Sequence, residues 1–275
     1  MKVAVLTGAG GTLASEMARH LAGKGVHVAL MDLRKENVTS VEQEIKSNDG
    51  QVMSFALDVT SLNEVNTARD EIVAKWGPVS ILINAAGGNQ MDALTNISEF
   101  DPDELAEDPG EVRGFFNLDM DRYEDVVKVN SMGTVIPCQV FARDMAKNGG
   151  GSIINFASMN SYRPLSRVAA YAMAKAGIST FTQWLANYLA PANIRVNAIA
   201  PGFFLNERSR KLLTTPEGGF TPRGESIMRQ TPLKRFGEAS DLIGTMNWLI
   251  DDQASGFVTG ITIPVDGGFL SCSGV

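Results

Sequence analysis

Lys2-Val3-Ala4-Val5-Leu6-Thr7-Gly8-Ala9-Gly10-Gly11-Thr12-Leu13-Ala14 sets a short apolar run against a turn of small residues, and an amphipathic pattern over 12–24 follows it. Apolar side chains at 3, 4, 5 and 6 suit a strand buried on both faces. The small residues of the turn let the chain reverse tightly and bring helix-start N–H groups close to a phosphate. A second apolar run, 26–32, closes on Asp32. A carboxylate at the end of a second strand can hold a ribose diol, so the unit has the pattern of a dinucleotide site.

The same alternation runs to the far end of the chain. Strand patterns at 51–58, 79–84, 151–157, 194–199 and 261–265 alternate with helical patterns near 38–48, 61–76, 121–147, 168–190 and 239–250. Ser61-x-x-Glu64 reads as a capping box, and Gly25 and Gly77 stand where helix stop signals belong. This predicts an α/β protein with a Rossmann-like, doubly wound parallel sheet of about seven strands flanked by helices. No linker or composition shift divides the chain, so residues 1–275 are expected to form one domain. Two segments break the rhythm. Residues 88–120 are acidic and carry Pro102 and Pro109, and residues 203–237 are rich in Arg, Thr, Pro and Gly. Both follow strand ends, where open α/β sheets bind ligands, and they are expected to be an insertion and a substrate lid.

Composition narrows the function. The 275 residues are 44% hydrophobic and 20% charged, as in an ordinary globular protein. A net charge of −7 provides no basic field for nucleic acid or an anionic membrane. An anionic substrate would therefore need local arginine or lysine. Cys138 and Cys272, with His20 and His27, lack the spacing of a disulfide, a zinc site or a histidine-based triad. No metal is expected, and Cys138 reads as a small core residue. No apolar run reaches membrane-spanning length, and the first strand pattern starts too soon for a signal segment. A cytoplasmic location is expected.

Chemistry enters with Tyr171-Ala172-Met173-Ala174-Lys175, downstream of Ser158. Residues four apart share one helix face, so the phenol and the ammonium can enter one cleft. A phenol titrates near pH ~10, too high for efficient proton transfer at neutrality. Lys175, together with a positively charged cofactor ring, is expected to favour the phenolate. Asp32 would also repel a 2′-phosphate, which favours NAD over NADP, although Arg34 nearby is a mild counter-signal.

Thr7-Gly8, Asp32, Asp58-Val59, Asn84-Ala85-Ala86-Gly87, Asn130, Ser158, Tyr171/Lys175, Pro201-Gly202 and Asp266-Gly267-Gly268 occur in this order. In this the chain resembles the short-chain dehydrogenase/reductase family along essentially its whole length. Thr12 and Ala14 stand where that family usually has glycine, so a slightly altered phosphate loop at Gly8, Gly11, Thr12 and Leu13 is expected. The resemblance implies that Asp58 and Val59 contact the adenine side, that Asn84, Ala85, Ala86 and Gly87 line the cofactor cleft, and that Pro201 and Gly202 flank the nicotinamide. It also implies a catalytic set: Asn130 holding a water in a proton relay, Ser158 bonding the substrate carbonyl, Tyr171 exchanging its proton, and Lys175 binding the nicotinamide ribose. A homotetramer built on the 121–147 and 168–190 helices is implied as well.

Ser158-Met159-Asn160, Pro164-Leu165-Ser166-Arg167, Pro201-Gly202-Phe203-Phe204 and Thr231-Pro232-Leu233-Lys234-Arg235-Phe236-Gly237 make the chain similar, more narrowly, to the fructuronate reductases of that family, also called D-mannonate oxidoreductases. The long 88–120 segment adds to the likeness. This implies an NAD-dependent interconversion of D-fructuronate and D-mannonate, with Ser158 and Asn160 at the substrate. One of Arg163, Arg167 and Arg210 is expected to bind the carboxylate, because arginine offers a bidentate, charge-assisted pair. A dehydrogenase for another sugar acid or polyol, gluconate 5-dehydrogenase-like, is the near alternative. A non-catalytic nucleotide sensor on the same fold is the alternative of a different class.

Overall fold

A computed structural model describes residues 2–216 and 218–273. Its strands are β1 (Val3–Thr7), β2 (His27–Asp32), β3 (Val52–Ala56), β4 (Ile81–Asn84), β5 (Gly151–Phe156), β6 (Ile194–Pro201) and β7 (Thr262–Val265). They form one parallel sheet in the order β3-β2-β1-β4-β5-β6-β7. The principal helices are α1 (Thr12–Gly23), α2 (Lys35–Ser47), α3 (Leu62–Trp76), α4 (Met120–Lys147) and α5 (Ala169–Leu189). Shorter ones follow: α6 (Glu207–Leu213), α7 (Pro222–Gln230), α8 (Ile243–Ile250) and α9 (Asp252–Ser255).

Period-two alternation of the strands explains the layers. In β1, Val3 and Val5 face a core built with α3, α4 and α5, whereas Ala4 and Leu6 face a second core built with α1, α2 and α8. A strand covered on both sides presents apolar side chains to both, and all five residues of β1 are buried, its one polar side chain, Thr7, being hydrogen-bonded at the strand end. The doubly wound architecture expected from the sequence is the one found.

Differences fall at element ends and have local causes. The third strand stops at Ala56, before the expected 58, because the Asp58 carboxylate accepts from the N–H and hydroxyl of Thr60, both at 2.8 Å, and turns the chain. The capping box is only half present. Ser61 accepts from the Glu64 N–H at 3.4 Å, but the Glu64 carboxylate accepts from Asp58 instead of closing back on Ser61. Helix 239–250 opens with a 3-10 turn over 239–242, and only 243–250 is α-helical.

Both irregular segments carry structure of their own. Residues 88–120 contain 3-10 turns at Met91–Ala93 and Pro102–Leu105. Residues 203–237 hold α6 and α7, packed on each other through Leu213, Ile227, Met228 and Phe236. Glu217, within the expected lid, lies outside the described residues. No helix among the described residues is long and apolar enough to cross a membrane.

Candidate active site

Between β1 and β4 the sheet order reverses direction, and a cleft opens beyond the carboxyl ends of the strands, as this topology requires. The cleft holds about 600 Å³. Its wall includes Gly8, Gly11, Asp32, Asp58, Val59, Ala85, Ala86 and Gly87 from the expected set. Thr7 ties the two central strands together: its buried hydroxyl oxygen accepts from the N–H groups of Ala85 and Ala86 at 3.2 and 3.1 Å. Gly8 has φ +61°, and a β-carbon there would stand 2.7 Å from the Cα of Ala86, so only glycine fits.

This cleft fits a dinucleotide. No side chain caps the start of α1, and its first turn contains no acid, whereas α3 and α4 are capped by Ser61 and Asp119. The α1 N–H groups are left for an anion, and the helix dipole favours one there. Thr12 and Leu13 belong to that first turn, although neither lines the cleft wall itself. Asp32 accepts from the Gly10 N–H at 3.1 Å and from the Asn37 amide at 2.6 Å, which fixes its carboxylate at the rim. Asn89, on the same wall, has a buried amide oxygen with no partner.

Some expected residues sit elsewhere. Asn84 is buried below the cleft, where its amide donates to Cys138 Sγ at 3.1 Å and to Asn155 Oδ1 at 2.9 Å. It reaches the cleft only through the chain that follows it. Cys138 is the core residue expected, with burial pushing its thiol up to about 12. Pro201 ends β6 and Gly202 follows it, both outside the cleft wall, with the Gly202 N–H bonded to the Val265 carbonyl at 2.9 Å. Asn37, Leu57, Gly88, Gln90 and Val129 line the cleft without having been expected there. Of these only Gly88 carried a signal, as the continuation of the Asn84–Gly87 run.

At the inner end of the cleft, four expected side chains converge. Lys175 Nζ lies 5.5 Å from the centre of the Tyr171 ring, one face of α5 as the spacing required. The same ammonium donates to the Phe156 carbonyl at 2.7 Å. The Ser158 hydroxyl stands near enough to the Tyr171 phenol to favour its phenolate. Asn130, fully buried, donates to the Gly88 carbonyl at 2.8 Å and accepts from the Gly88 N–H at 3.1 Å. A β-carbon on Gly87, at φ +143°, would meet Asn130 Oδ1 at 2.3 Å and Lys175 Nζ at 3.6 Å. Glycine 87 therefore brings the cleft floor onto the amide and the ammonium at once.

One half of an electrostatic expectation, the part assigned to Lys175, is not met. Burial raises the Tyr171 phenol above its usual range, and the Ser158 hydroxyl opposes that only in part. Burial also lowers Lys175 to about 8. Lysine's share of the expected depression is absent because lysine is desolvated by the same walls, with its ammonium directed at a carbonyl; the share expected of the cofactor ring is a separate one. The protein's own groups thus disfavour the phenolate on balance, and the positively charged cofactor ring is the remaining expected source of stabilisation.

The substrate-side expectations also divide. Asn160 is buried; its amide donates to Ser158 Oγ at 3.3 Å and its carbonyl oxygen accepts from the Leu165 N–H at 2.9 Å. It supports Ser158 rather than facing open space. Arg163 is exposed and donates to the Cys272 carbonyl at 3.4 Å, and Arg210 is exposed on α6. Arg167 lines a cavity beside Ser98, Phe203 and Arg223. Its φ of +73° is rare for a residue with a β-carbon and costs of order 1–3 kcal/mol.

Comparisons with known proteins agree with this geometry. The short chain dehydrogenase family matches residues 2–217. An uncharacterized oxidoreductase of Bacillus subtilis, UxuB, is 43% identical over 100% of this chain and 96% of its own. A crystal structure from Haemophilus influenzae with NAD bound, of a protein provisionally called a D-mannonate oxidoreductase, is 42% identical with a TM-score of 0.93, covering 100% of this chain and 96% of that one. The 2-dehydro-3-deoxy-D-gluconate 5-dehydrogenase of Escherichia coli is 31% identical over 98% of this chain and 96% of its own. With its parallel sheet, its uncapped phosphate turn and its Ser158, Tyr171 and Lys175 grouped beside the cleft floor, the chain belongs to the short-chain dehydrogenase/reductase family and is an oxidoreductase.

Proposed function

We propose that this oxidoreductase uses NAD to interconvert a keto sugar acid and its hydroxy form, D-fructuronate and D-mannonate. The observation that carries the reading is the Ser158–Tyr171–Lys175 grouping at the inner end of a dinucleotide-shaped cleft, with an arginine-lined cavity beside it. The names of the similar proteins support the substrate class.

Hydride exchange with the substrate carbon is what bound NAD supplies. Tyr171 gives its proton to the carbonyl oxygen in reduction and takes it back in oxidation. Ser158 donates to that same oxygen, where negative charge develops. Lys175 holds the nicotinamide ribose, and Asn130 orders a water that continues the proton path. Asp32 accepts the adenosine ribose hydroxyls and disfavours a 2′-phosphate. Asn84, Ala85, Ala86, Gly87, Pro201 and Gly202 shape the cleft around the cofactor.

We further propose a cytoplasmic homotetramer built on α4 and α5. Exposed Trp184 and Tyr188 stack on α5 with ring centres 5.2 Å apart, an apolar face that a second copy would cover. The function is tested by following NADH absorbance with D-mannonate, D-gluconate, hexuronates and neutral polyols. The reading holds if D-mannonate or D-fructuronate gives the highest kcat/KM, and it falls if neutral polyols are preferred.

A further inference from the structure

A cavity of about 360 Å³ lies between the 163–168 loop, Ser98 of the 88–120 segment and lid helix α7. Leu165, Phe203, Ile227 and Phe269 give it apolar walls, and two exposed arginines, Arg167 and Arg223, line it beside them. Among the described residues, no carboxylate lines it. Several arginines of this acidic chain are matched to acids, among them Arg69 to Asp144 at 2.7 Å, Arg195 to Asp252 at 2.8 Å and Arg235 to Asp241 at 2.6 Å, and other exposed ones, such as Arg163, are not. Arg167 instead donates to the neutral hydroxyl of Ser98 at 3.2 Å, and Arg223 meets no acid among the described residues. Two guanidiniums without acid partners against an apolar wall form a place for an anion.

The backbone points the same way. Arg167 keeps its left-handed φ of +73° although a β-carbon disfavours it, and its carbonyl is pinned by the Thr95 N–H at 3.3 Å. A turn alone would be served better by glycine or asparagine. Val168, the next residue, is the N-cap of α5 and also lines the cavity. Tyr171 follows one helical turn on, roughly 5 Å along the axis at about 1.5 Å per residue.

We infer that Arg167 and Arg223 together bind the substrate carboxylate, with α7 of the lid delivering the second guanidinium. Arg223 is thus a specificity-determining residue, one that sequence reasoning passed over in favour of Arg163 and Arg210. The inference rests on the sugar-acid reading above and deepens it. In D-fructuronate the ketone lies near the opposite end of the carbon chain from the carboxylate. The anion must therefore be held away from Tyr171, and the cavity reaches α5 at its N-cap Val168, one helical turn before Tyr171.

The test measures KM for D-mannonate and NADH affinity by fluorescence in purified wild type, Arg167→Met, Arg223→Met and Arg223→Lys. Each Met variant is expected to raise KM at least ~10-fold with NADH affinity unchanged, and Arg223→Lys to recover part of the loss. Added salt should raise KM in the wild type and leave it nearly flat in the double Met variant. Wild-type KM in Arg223→Met overturns the assignment while leaving the sugar-acid function intact. A parallel loss of NADH affinity assigns Arg223 a structural role and also overturns it. Failure of the wild type to oxidise any sugar acid removes the function itself, and this assignment falls with it.

Discussion

Asn160 donates twice to Ser158 Oγ, through its main-chain N–H at 3.2 Å and its side-chain amide at 3.3 Å. An oxygen that already accepts two hydrogen bonds is left with its own proton to give. The Ser158 hydroxyl is thereby oriented as a donor toward Tyr171, and in the proposed reaction toward the substrate oxygen. The Asn160 carbonyl oxygen also anchors Leu165, at the base of the loop that carries Arg167. Asn160→Ala is expected to lower kcat about 10-fold and to raise KM for the sugar acid, because both the donor and the loop lose support. NADH affinity, read by fluorescence, should stay close to that of the wild type. A variant with unchanged kcat would show that Ser158 needs no such orientation.

Tyr171→Phe tests the proton-transfer role directly. Removing one oxygen from a partly buried ring leaves the packing with Ala93, Val126 and Ala170 in place, so the fold should survive. Turnover should drop by roughly 10²–10⁴-fold while NADH still binds, since the phenol acts chiefly in the transition state. Substantial turnover at neutral pH would remove Tyr171 from that role.

How far the sequence alone carried these conclusions depends on the physics behind each feature. The sheet was legible because buried parallel strands leave continuous apolar runs such as Ile81-Leu82-Ile83, and the Tyr171/Lys175 face was legible because helical spacing is local. Strand ends were less so: the turn at Asp58 is made by a side chain that could equally have stayed extended. The direction of the Tyr171 titration could not be read at all, because desolvation depends on walls contributed from the distant segments holding Ala93 and Val126. Arg223 was invisible for the same reason. Nothing in Thr221-Pro222-Arg223-Gly224 says that its helix folds back over the loop at Arg167. Asn160 was read as a substrate contact because its sequence position beside Ser158 says nothing of which way its amide faces.

Asp32 carries a prediction for cofactor choice. Its carboxylate is fixed at the cleft rim by the Gly10 N–H and the Asn37 amide. Wild-type enzyme is expected to prefer NADH strongly over NADPH, and Asp32→Ala to narrow that ratio by at least ~10-fold, as a charge repelling a 2′-phosphate is removed. The same change deprives Gly10 of its acceptor, so a lower Tm is expected alongside. Equal kcat/KM for the two cofactors in the wild type would contradict the reading of Asp32.

Lys175 gives a prediction for stability against pH. Burial lowers its ammonium from the ordinary 10.5 to about 8 in the folded protein. Below pH 8 both folded and unfolded chains hold the proton, and the folded state bears the full cost of a desolvated charge. Between about 8 and 10.5 the unfolded chain keeps the proton and the folded chain releases it, so unfolding takes up a proton and stability rises with pH. Above that window both states are neutral and the penalty is gone. Lys175→Met removes the titration, along with the bond to the Phe156 carbonyl. The difference in unfolding free energy, wild type minus Lys175→Met, should therefore grow more positive from pH 8 to 10, by up to about 3 kcal/mol. Urea denaturation of cofactor-free protein at matched ionic strength measures it, and the subtraction cancels the other titrating groups. A difference that stays level across the window would mean that Lys175 keeps an ordinary ammonium in the folded state, and that the cleft around Tyr171 is wetter than its walls suggest.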